Sequence, residues 1–472
     1  MTTPDPSDPY SSGPLMPPSA AGPSRSATAP WLSATAPRRS AGLDPIRILS
    51  VSDSESYLKW ATQLLSSLTD VEGRVFLIDN PILPTDEQIA SAVAGTDWQH
   101  RQIPVIARSD LAQVIADHSP DIVLGAATGP IVAQVFLTAH SRADRPALVS
   151  GLPGMGLPAS GKGMNYRRLM DAFIAHSFAE VAAYTEASTA AQVPCEVLLA
   201  RLPMLRSEGI PRLQTSTITE AAPPAPGPTS DRDSHTTPPA SPRSLDASST
   251  LAVPRTLVFT PQAKVPAERA DREAIIAALA EFADRHPKST AVIKMRSRPG
   301  EFETHHEQHS YFEILADFRT RRVSGADRIE LGYGPLSDFL DSESALVTVS
   351  STAALESIDR GVPTLLISDF GIDRELLNEV FAESGATGTL ADMVAGRIRF
   401  PDSEWLAENY FHSDDGQLRR DLGLLATRAK AGQLPNRRSA FLKQKRLLVR
   451  AELRTVTPAP IISAYRRLRY AR

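Results

Sequence analysis

Three consecutive hydroxyl residues, Ser350, Ser351 and Thr352, occur where an apolar strand meets the start of a short helix. The β-branched run Ala345–Val349 predicts a strand buried on both faces, and the helix after Thr352 leads to a second apolar strand at Thr364–Ser368. Hydroxyls in that position cap the unpaired N–H groups of a helix's first turn. The same groups, at the carboxyl edge of a parallel sheet, also suit a phosphate. Capping alone is the simpler interpretation, but the complete strand–turn–helix–strand unit favours an anion-binding turn.

A trio of cations follows another predicted strand of the same half of the chain. Lys294, Arg296 and Arg298 alternate where the strand Ala291–Met295 runs out. Alternate residues of a strand point to one face, so the three cations can converge at the carboxyl edge, close to the hydroxyl turn. Together they would bind a phosphate diester or a pyrophosphate. The alternative is an ordinary solvated strand end. For Arg298 taken alone, this explanation is nearly as good as an anion site.

The densest glycine cluster of the chain is Gly151–Gly163. Its spacing approaches that of a P-loop, but Gly163 stands where Ser or Thr should hold magnesium. We therefore predict a flexible loop at a sheet's carboxyl edge, with Gly154, Gly156 and Arg167 placed to hold an acceptor or to close over a donor. The alternative is a plain turn.

Three histidines, His305, His306 and His309, have the spacing of a small metal cluster. They lack the Glu of the metalloprotease motif, and no second set of ligands accompanies them. We predict no metal site here and no cofactor. The histidines are assigned to a loop or helix start, with His305 near the donor.

Strands and helices alternate along two stretches of the chain, which predicts an α/β fold with two doubly wound parallel sheets. Proline, serine and alanine dominate the first 44 residues, and a second Pro/Ser/Thr-rich segment separates the two stretches. Beyond the second sheet the chain is predicted to be helical, beginning with a helix at Arg374–Glu383. The predicted organisation is a disordered tail (1–44), a first Rossmann-like domain (45–205), a disordered linker (206–253), a second Rossmann-like domain (254–400) and C-terminal helices with a basic tail (401–472).

Composition excludes several classes of protein. A net charge of −4 over 472 residues argues against general nucleic-acid binding. The single cysteine, Cys195, excludes an intrachain disulfide and a cysteine zinc cluster. No apolar run approaches the roughly 20 residues of a membrane span, and the N-terminus lacks the pattern of a signal peptide. We therefore expect the protein to stay in the cytoplasm, where it is made.

The hydroxyl run Ser350–Thr352, followed by Glu356 and then Gly-Val-Pro, resembles the nucleotide-binding element of GT-B glycosyltransferases, which contain two Rossmann-like domains. The Ser-Ser-Thr run is most similar to that of bacterial sialyl- and polysialyltransferases and capsule-polysaccharide proteins, which use CMP-activated sugars. The chain as a whole resembles an uncharacterised actinobacterial group of glycosyltransferases. In the capsule enzymes the strand bearing the cations ends in a Lys-x-His-Pro-like motif. Here Arg296 to Pro299 replaces it, which argues against a histidine role at that place.

The resemblance implies a division of labour between the domains. The second domain would bind a nucleotide-sugar donor, with the hydroxyls on its phosphate and Glu356 on the nucleotide ribose. The first domain would bind a glycan or lipid-linked acceptor and supply the base that an inverting transferase needs. Asp53, on the loop after the first strand, is the first candidate for this base and Glu55 the second; Ser-Asp-Ser is also a good helix cap. The terminal helices would cross back to the first domain, and no metal would be required.

Two further functions remain open at this point. One is a sugar-nucleotide epimerase or a CDP-alcohol phosphotransferase built on the same fold. The other is a non-catalytic nucleotide-binding or scaffold protein, because a fold does not by itself fix a function.

The end of the chain, from Arg437 to Arg472, contains a single acid, Glu452, among many cations. Such a segment could lie on the anionic inner face of a plasma membrane. A solvated helix face followed by a frayed tail explains it equally well.

Overall fold

The computed structural model describes residues 45–207, 209–213, 252–295 and 307–456, with side chains to 449. The predicted sites Arg296, Arg298, His305 and His306 lie outside the described residues, as do residues 1–44, most of the predicted linker and the last sixteen residues of the chain. All the described residues belong to one compact unit.

The first lobe is built on seven parallel strands in the order β3-β2-β1-β4-β5-β6-β7. Because β1 pairs in register with β2 and β4, the ends of the three strands form one level edge. Strands β4, β5 and β6 are buried along their whole length, as expected for apolar runs covered by helices on both faces. The strands are β1 (Ile46–Ser52), β2 (Val71–Ile78), β3 (Val105–Ile106), β4 (Ile122–Ala126), β5 (Ala147–Gly151), β6 (Ala172–Ala175) and β7 (Glu196–Leu199).

Six helices alternate with these strands, as the sequence pattern predicts. Thr85 caps the second of them through a reciprocal capping box with Gln88, which explains why that helix begins where it does. The helices are α1 (Glu55–Ser67), α2 (Asp86–Val93), α3 (Leu111–His118), α4 (Gly129–His140), α5 (Gly161–Tyr166) and α6 (Phe178–Ala190). The glycine cluster thus contains one short helix, α5, in addition to the predicted loop.

The second lobe repeats the plan with six parallel strands in the order β10-β9-β8-β11-β12-β13. If its strands are counted from one, both sheets place the first strand next to the fourth, which is the Rossmann order. The strands are β8 (Thr256–Phe259), β9 (Thr290–Lys294), β10 (Ile329–Gly332), β11 (Ser344–Thr348), β12 (Thr364–Ile367) and β13 (Thr387–Gly388).

The remaining helices are α7 (Arg269–Arg285), α8 (Tyr311–Thr320), α9 (Ala353–Asp359), α10 (Leu390–Val394), α11 (Ser403–Glu408), α12 (Gln417–Lys430) and α13 (Arg438–Val456). Helix α7 buries the apolar stripe Ile275, Ile276, Leu279 and Phe282, as its spacing predicts. No described helix is long and apolar enough to cross a membrane.

The last two helices leave the second lobe and pack on the first. Leu418, Leu422 and Leu425 of α12 join the core beneath β1, β4 and β5, and α13 packs against α4. Each leucine buried in this way contributes about 1.5–3 kcal/mol relative to an exposed one. The predicted return of the terminal helices is therefore confirmed. With two Rossmann-like sheets and this return, the architecture is GT-B-like.

The prediction of a helix at Arg374–Glu383 is wrong. This segment forms loops and a single 3-10 turn, Glu379–Phe381, and the chain then adds the edge strand β13. Its backbone is held by Asn378, a fully buried side chain that donates to the carbonyl of Gly371. A buried asparagine that bonds the backbone competes with helix hydrogen bonding, which explains the failure of a prediction made from composition alone.

Candidate functional site

In the first lobe, the end of β1 meets the end of β4 at the point where the strand order reverses. The Asp53 side chain, just after β1, accepts hydrogen bonds at Oδ2 from the backbone N–H of Thr128, at 2.9 Å, and from its hydroxyl. Thr128 immediately precedes α4. Open α/β sheets bind ligands in the crevice at such a switch point, so Asp53 lies where a ligand of this sheet would bind.

Asp53 is fully buried in this structure. Its second oxygen, Oδ1, is also buried and has no hydrogen-bond partner among the described residues. Burial raises the pKa of the Asp53 carboxyl, and the hydrogen bonds from Thr128 oppose that rise. Glu55, the first residue of α1, is partly exposed. The base role stays a prediction for both carboxylates.

The second lobe has its own switch point between β8 and β11, and the hydroxyl turn lies there. The Thr348 hydroxyl at the end of β11 donates to the carbonyl of Thr260 after β8, at 2.7 Å. Ser350 is buried and donates to the carbonyl of Leu377 at 2.6 Å, so its hydroxyl points into the lobe. Ser351 and Thr352 are partly exposed and are the hydroxyls available to a ligand.

More of the backbone N–H groups of this turn are hydrogen-bonded within the lobe than the sequence suggests. The N–H of Ser351 donates to the Thr348 hydroxyl, and that of Ala353 donates to the Ser351 hydroxyl. The next three N–H groups donate to the carbonyls of Ser351 and Thr352. Between Ser351 and Glu356, the N–H of Thr352 alone has no acceptor among the described residues. An anion at this turn would therefore meet the Thr352 N–H and two hydroxyls.

Elements beside the two switch points contact each other across the cleft between the lobes. A Cβ placed on Gly154, after β5, would lie 2.8 Å from Cγ2 of Thr352, so the glycine loop touches the hydroxyl turn. Lys59 of α1 forms an ion pair with Glu356 of α9, with 3.4 Å between Nζ and Oε1. Both side chains of that pair are about one-third exposed. The glycine loop and the residues that resemble a nucleotide site thus face each other.

Two lysines from opposite lobes repel each other electrostatically. Burial lowers the pKa of Lys264, on the loop after β8, and repulsion by Lys162 of the glycine loop lowers it further. Two like charges brought together in a partly buried place favour an anion between them. Lys294, at the end of β9, is half-buried. No pattern in the sequence singles out Lys264, because it is an isolated lysine in a loop.

A buried arginine of the second lobe holds the loop that carries Lys264. Arg272 on α7 is 1 % exposed and donates to the carbonyls of Ala263 and Pro266. It also pairs with Glu307 and donates to the carbonyl of His309. Because Ala263 and Pro266 lie on either side of Lys264 in the chain, Arg272 positions the loop that carries this lysine. His309 takes part through its backbone.

The glycine loop is fixed from below by a buried carboxylate. Glu180 accepts hydrogen bonds from the N–H of Gly156, the N–H of His176 and the hydroxyl of Tyr410, each at 2.7 Å. His176 accepts from the Trp60 indole at Nε2 and faces the Ala200 carbonyl through Nδ1, so it is a fully paired, neutral histidine. Tyr410 belongs to the core of the second lobe. Glu180 therefore ties the loop to both lobes.

Arg167 is 4 % exposed and lies under the same loop. It donates to the Ser150 hydroxyl, the Tyr57 hydroxyl and the carbonyls of Ala127 and Gly163. Arg167, which is predicted to hold an acceptor or to close over a donor, is not available to a ligand in this structure, because its guanidinium faces these four groups. Sequence spacing does not reveal this burial.

No cluster of three or more possible metal ligands occurs in the described ranges, 45–207, 209–213, 252–295 and 307–456. His305 and His306 lie outside these ranges.

Comparison with known proteins gives a sequence family and several solved structures of low similarity. Among curated proteins none matches the chain. Of the solved structures, UDP-GlcNAc 2-epimerase from Neisseria meningitidis is 13 % identical, with a TM-score of 0.44 over 87 % of this chain and 100 % of that one. The enzyme of the same name from Methanocaldococcus jannaschii is 10 % identical, with a TM-score of 0.46 over 81 % and 100 %.

The lipopolysaccharide outer core galactosyltransferase WaaB is 10 % identical, with a TM-score of 0.38 over 85 % of this chain and 95 % of that one. At such values the likenesses concern the fold and carry nothing about activity. The sequence family is more informative, because its match runs through both lobes, from residue 48 to residue 425. The chain belongs to the family described as "Putative glycosyltransferase (DUF6716)".

Proposed function

We propose that this protein transfers a sugar from a nucleotide-activated donor to a glycan or lipid-linked acceptor in the cleft between its lobes. One observation supports the proposal: elements beside the switch points of two parallel sheets meet there, with Gly154 against Thr352 and Lys59 paired with Glu356. Open α/β sheets bind ligands at such switch points. Two such sites on one cleft suit a reaction between two bound substrates.

The donor would occupy the second lobe. Its phosphate would meet the hydroxyls of Ser351 and Thr352 and the free N–H of Thr352. Lys264 and Lys162 would supply positive charge to the same anion. The ribose would bind Glu356, which requires the Lys59 pair to open. Cations and N–H groups can stabilise a leaving phosphate without a metal.

The acceptor would occupy the first lobe. As the acceptor oxygen forms a bond to the anomeric carbon, the bond from that carbon to the phosphate oxygen breaks, and the nucleotide leaves with both bonding electrons. The acceptor proton passes to a base. Asp53 would take it at Oδ1, the oxygen without a partner, and a raised pKa suits this role. Because Asp53 is buried, the residues around it must move before an acceptor can reach it.

The finer assignments follow from the hydroxyl run. Its resemblance to enzymes that use CMP-activated sugars supports CMP as the carrier, and the same resemblance supports an envelope or capsule glycan as the acceptor. Both are parts of the proposal.

A nucleotide-binding experiment tests the donor site directly. Melting temperature is followed with CMP, CDP, UDP and GDP, because a ligand that binds only the folded protein raises it. We expect CMP to give the largest shift, and Ser351→Ala to abolish most of it. Thr389→Ala is the matched control, since it removes a helix cap of α10, which follows β13, two strands away from β11. If both variants lose nucleotide binding, the loss of a helix cap explains the result, and a phosphate contact of Ser351 does not.

A second experiment separates transfer from its rivals. The protein is incubated with CMP-, UDP- and GDP-sugars labelled in the sugar, with and without a bacterial envelope glycan fraction. Label in the glycan supports the proposal. A new epimer of the donor without transfer would identify an epimerase, and nucleotide binding with neither product would identify a binding protein.

A further inference from the structure

The C-terminal end of the chain, which contains α13, differs in charge from the rest of the chain. From Arg437 to Arg472 the chain has eleven Lys and Arg against one Glu, a net charge of +10 in a chain whose total is −4. All other residues together therefore carry −14. Such asymmetry indicates an anionic partner for this part of the surface.

The cations of the two terminal helices fall into two groups. Those of α12 and the turn after it are engaged with the first lobe: Arg428 pairs with Glu196, Lys430 with Asp121, and Arg437 with Asp171. The exposed cations in the described part of α13 have no ion pair with any described residue. They are Arg438, Lys443, Lys445 and Arg446.

Apolar side chains share that exposed side. Leu442 is 57 % exposed and Val449 is 45 % exposed. Residues three, four and seven apart lie on one side of a helix, so Lys445 and Arg446 fall between Leu442 and Val449. The opposite side of the helix is covered, with Gln444 fully buried and Phe441 against His140 of α4. We name the exposed side the basic face: Arg438, Leu442, Lys443, Lys445, Arg446 and Val449.

We propose that the basic face is a docking surface for an anionic lipid bilayer. Helices that lie in a membrane interface combine cations with apolar side chains in this way. The charge distribution favours a flat partner, because a bilayer touches the basic face with its four cations alone, while the rest of the chain, which carries a net charge of −8, stays in solvent. A polyanion that wraps the protein would meet that negative surface. Nucleic acid is also a poorer match to Leu442 and Val449, because single strands bind through stacking on aromatic side chains.

The proposal is independent of the sugar-transfer reaction, and its test uses the full-length protein with vesicles. Co-sedimentation is measured with phosphatidylcholine vesicles and with vesicles containing about 30 % phosphatidylglycerol, at about 0.1 M and about 0.5 M salt. We expect binding to the anionic vesicles only, with a marked loss at high salt. Equal binding to the two kinds of vesicle, or none to either, would overturn the proposal.

A charge-neutralised variant locates the surface. Each cation near an anionic membrane changes partitioning by about 5-fold, so Lys443→Gln, Lys445→Gln and Arg446→Gln together should reduce it by about 100-fold. The matched control removes three exposed cations elsewhere, Arg101, Arg108 and Lys288, with the same change in net charge. An equal loss in both variants would mean that net charge, and not the basic face, governs binding.

Two further measurements close the test. The neutralised variant should keep the melting temperature and the nucleotide response of the wild type, because its changed residues are exposed and unpaired. An unchanged melting temperature and nucleotide response would show that the loss of vesicle binding comes from the basic face and not from damage to the nucleotide site. A single-stranded RNA oligonucleotide is the competing ligand: tight RNA binding without vesicle binding would replace the proposal with a nucleic-acid surface.

Discussion

The contact between Gly154 and Thr352 can be tested by adding one methyl group. In Gly154→Ala the new Cβ would lie 2.8 Å from Cγ2 of Thr352, whereas carbon atoms in contact are normally about 3.5–4.0 Å apart. The next atom of Thr352, its Cβ, is 3.9 Å away, which is an ordinary contact. Overpacking of this size costs about 1–3 kcal/mol when the surroundings cannot move. We expect the free energy of unfolding to fall by that amount.

Thr352→Ser provides the rescue. It removes Cγ2 and keeps the hydroxyl, so the double variant should recover most of the lost stability. The assay is urea unfolding of the wild type, the two single variants and the double variant, from which the coupling energy between the positions is obtained. Gly161→Ala is the matched control in the same loop, because nothing lies within 4 Å of its new Cβ. That variant should be as stable as the wild type.

The opposite outcome is equally clear. If Gly154→Ala unfolds like the wild type and Thr352→Ser has no effect on it, the loop and the turn do not touch in solution. The cleft would then be open at the place where the two switch points are inferred to meet, and the argument for two facing substrate sites would fail.

Three other substitutions probe the ionisable groups. Glu180→Gln leaves one or two of its three donors unpaired, so urea unfolding should show a loss of about 2–4 kcal/mol, and an unchanged value would contradict the buried tie to Tyr410. Burial raises the pKa of Asp53, so the carboxyl group loses its proton at a lower pH in the unfolded chain than in the folded protein. The wild type should therefore lose stability relative to Asp53→Asn as the pH rises above about 4. A difference in stability that does not change with pH would refute this prediction. Repulsion and burial lower the pKa of Lys264, so Lys264→Met should raise the melting temperature at pH 7 while weakening nucleotide binding about 10-fold. The stabilisation should disappear as pH approaches about 10, where the lysine is neutral in both states; a lower melting temperature at pH 7 would show that Lys162 does not repel it.

The sheet plan could be predicted because it rests on local signals. Apolar runs such as Ala345–Val349 and caps such as Thr85 report strand and helix positions without knowledge of distant contacts. The segment from Arg374 to Glu383 could not be predicted in that way. Its conformation depends on Asn378 reaching the backbone of Gly371, and a helical composition does not reveal such a bond.

The candidate site divides in the same manner. Position at the carboxyl edge follows from the strand order, so Asp53, Gly154 and the hydroxyl turn were predicted near the cleft. What each side chain contacts depends on residues far away in the chain. Arg167 faces inward to Tyr57, 110 positions earlier, and Ser350 faces inward to Leu377, 27 positions later. Neither partner is marked by sequence spacing.

The contacts between the lobes differ in strength from one side of the cleft to the other. At the inner end, the Tyr410 hydroxyl of the second lobe donates to the carboxylate of Glu180, and both groups are buried. A charge-assisted hydrogen bond of that kind contributes about 1.5–3 kcal/mol. At the outer end, Lys59 and Glu356 form a pair that is one-third exposed, which contributes at most about 1 kcal/mol.

Separation of the lobes should therefore begin at the outer end. The contacts that have to break there are the exposed pair, the van der Waals contact of Gly154 with Thr352, and the packing of Met155 against the core of the second lobe. Glu180 keeps Gly156, two residues beyond Gly154 in the same loop, in place. A nucleotide that replaces Lys59 at Glu356 offsets the loss of the exposed pair. The bond to Tyr410 then acts as the fixed end about which the cleft opens.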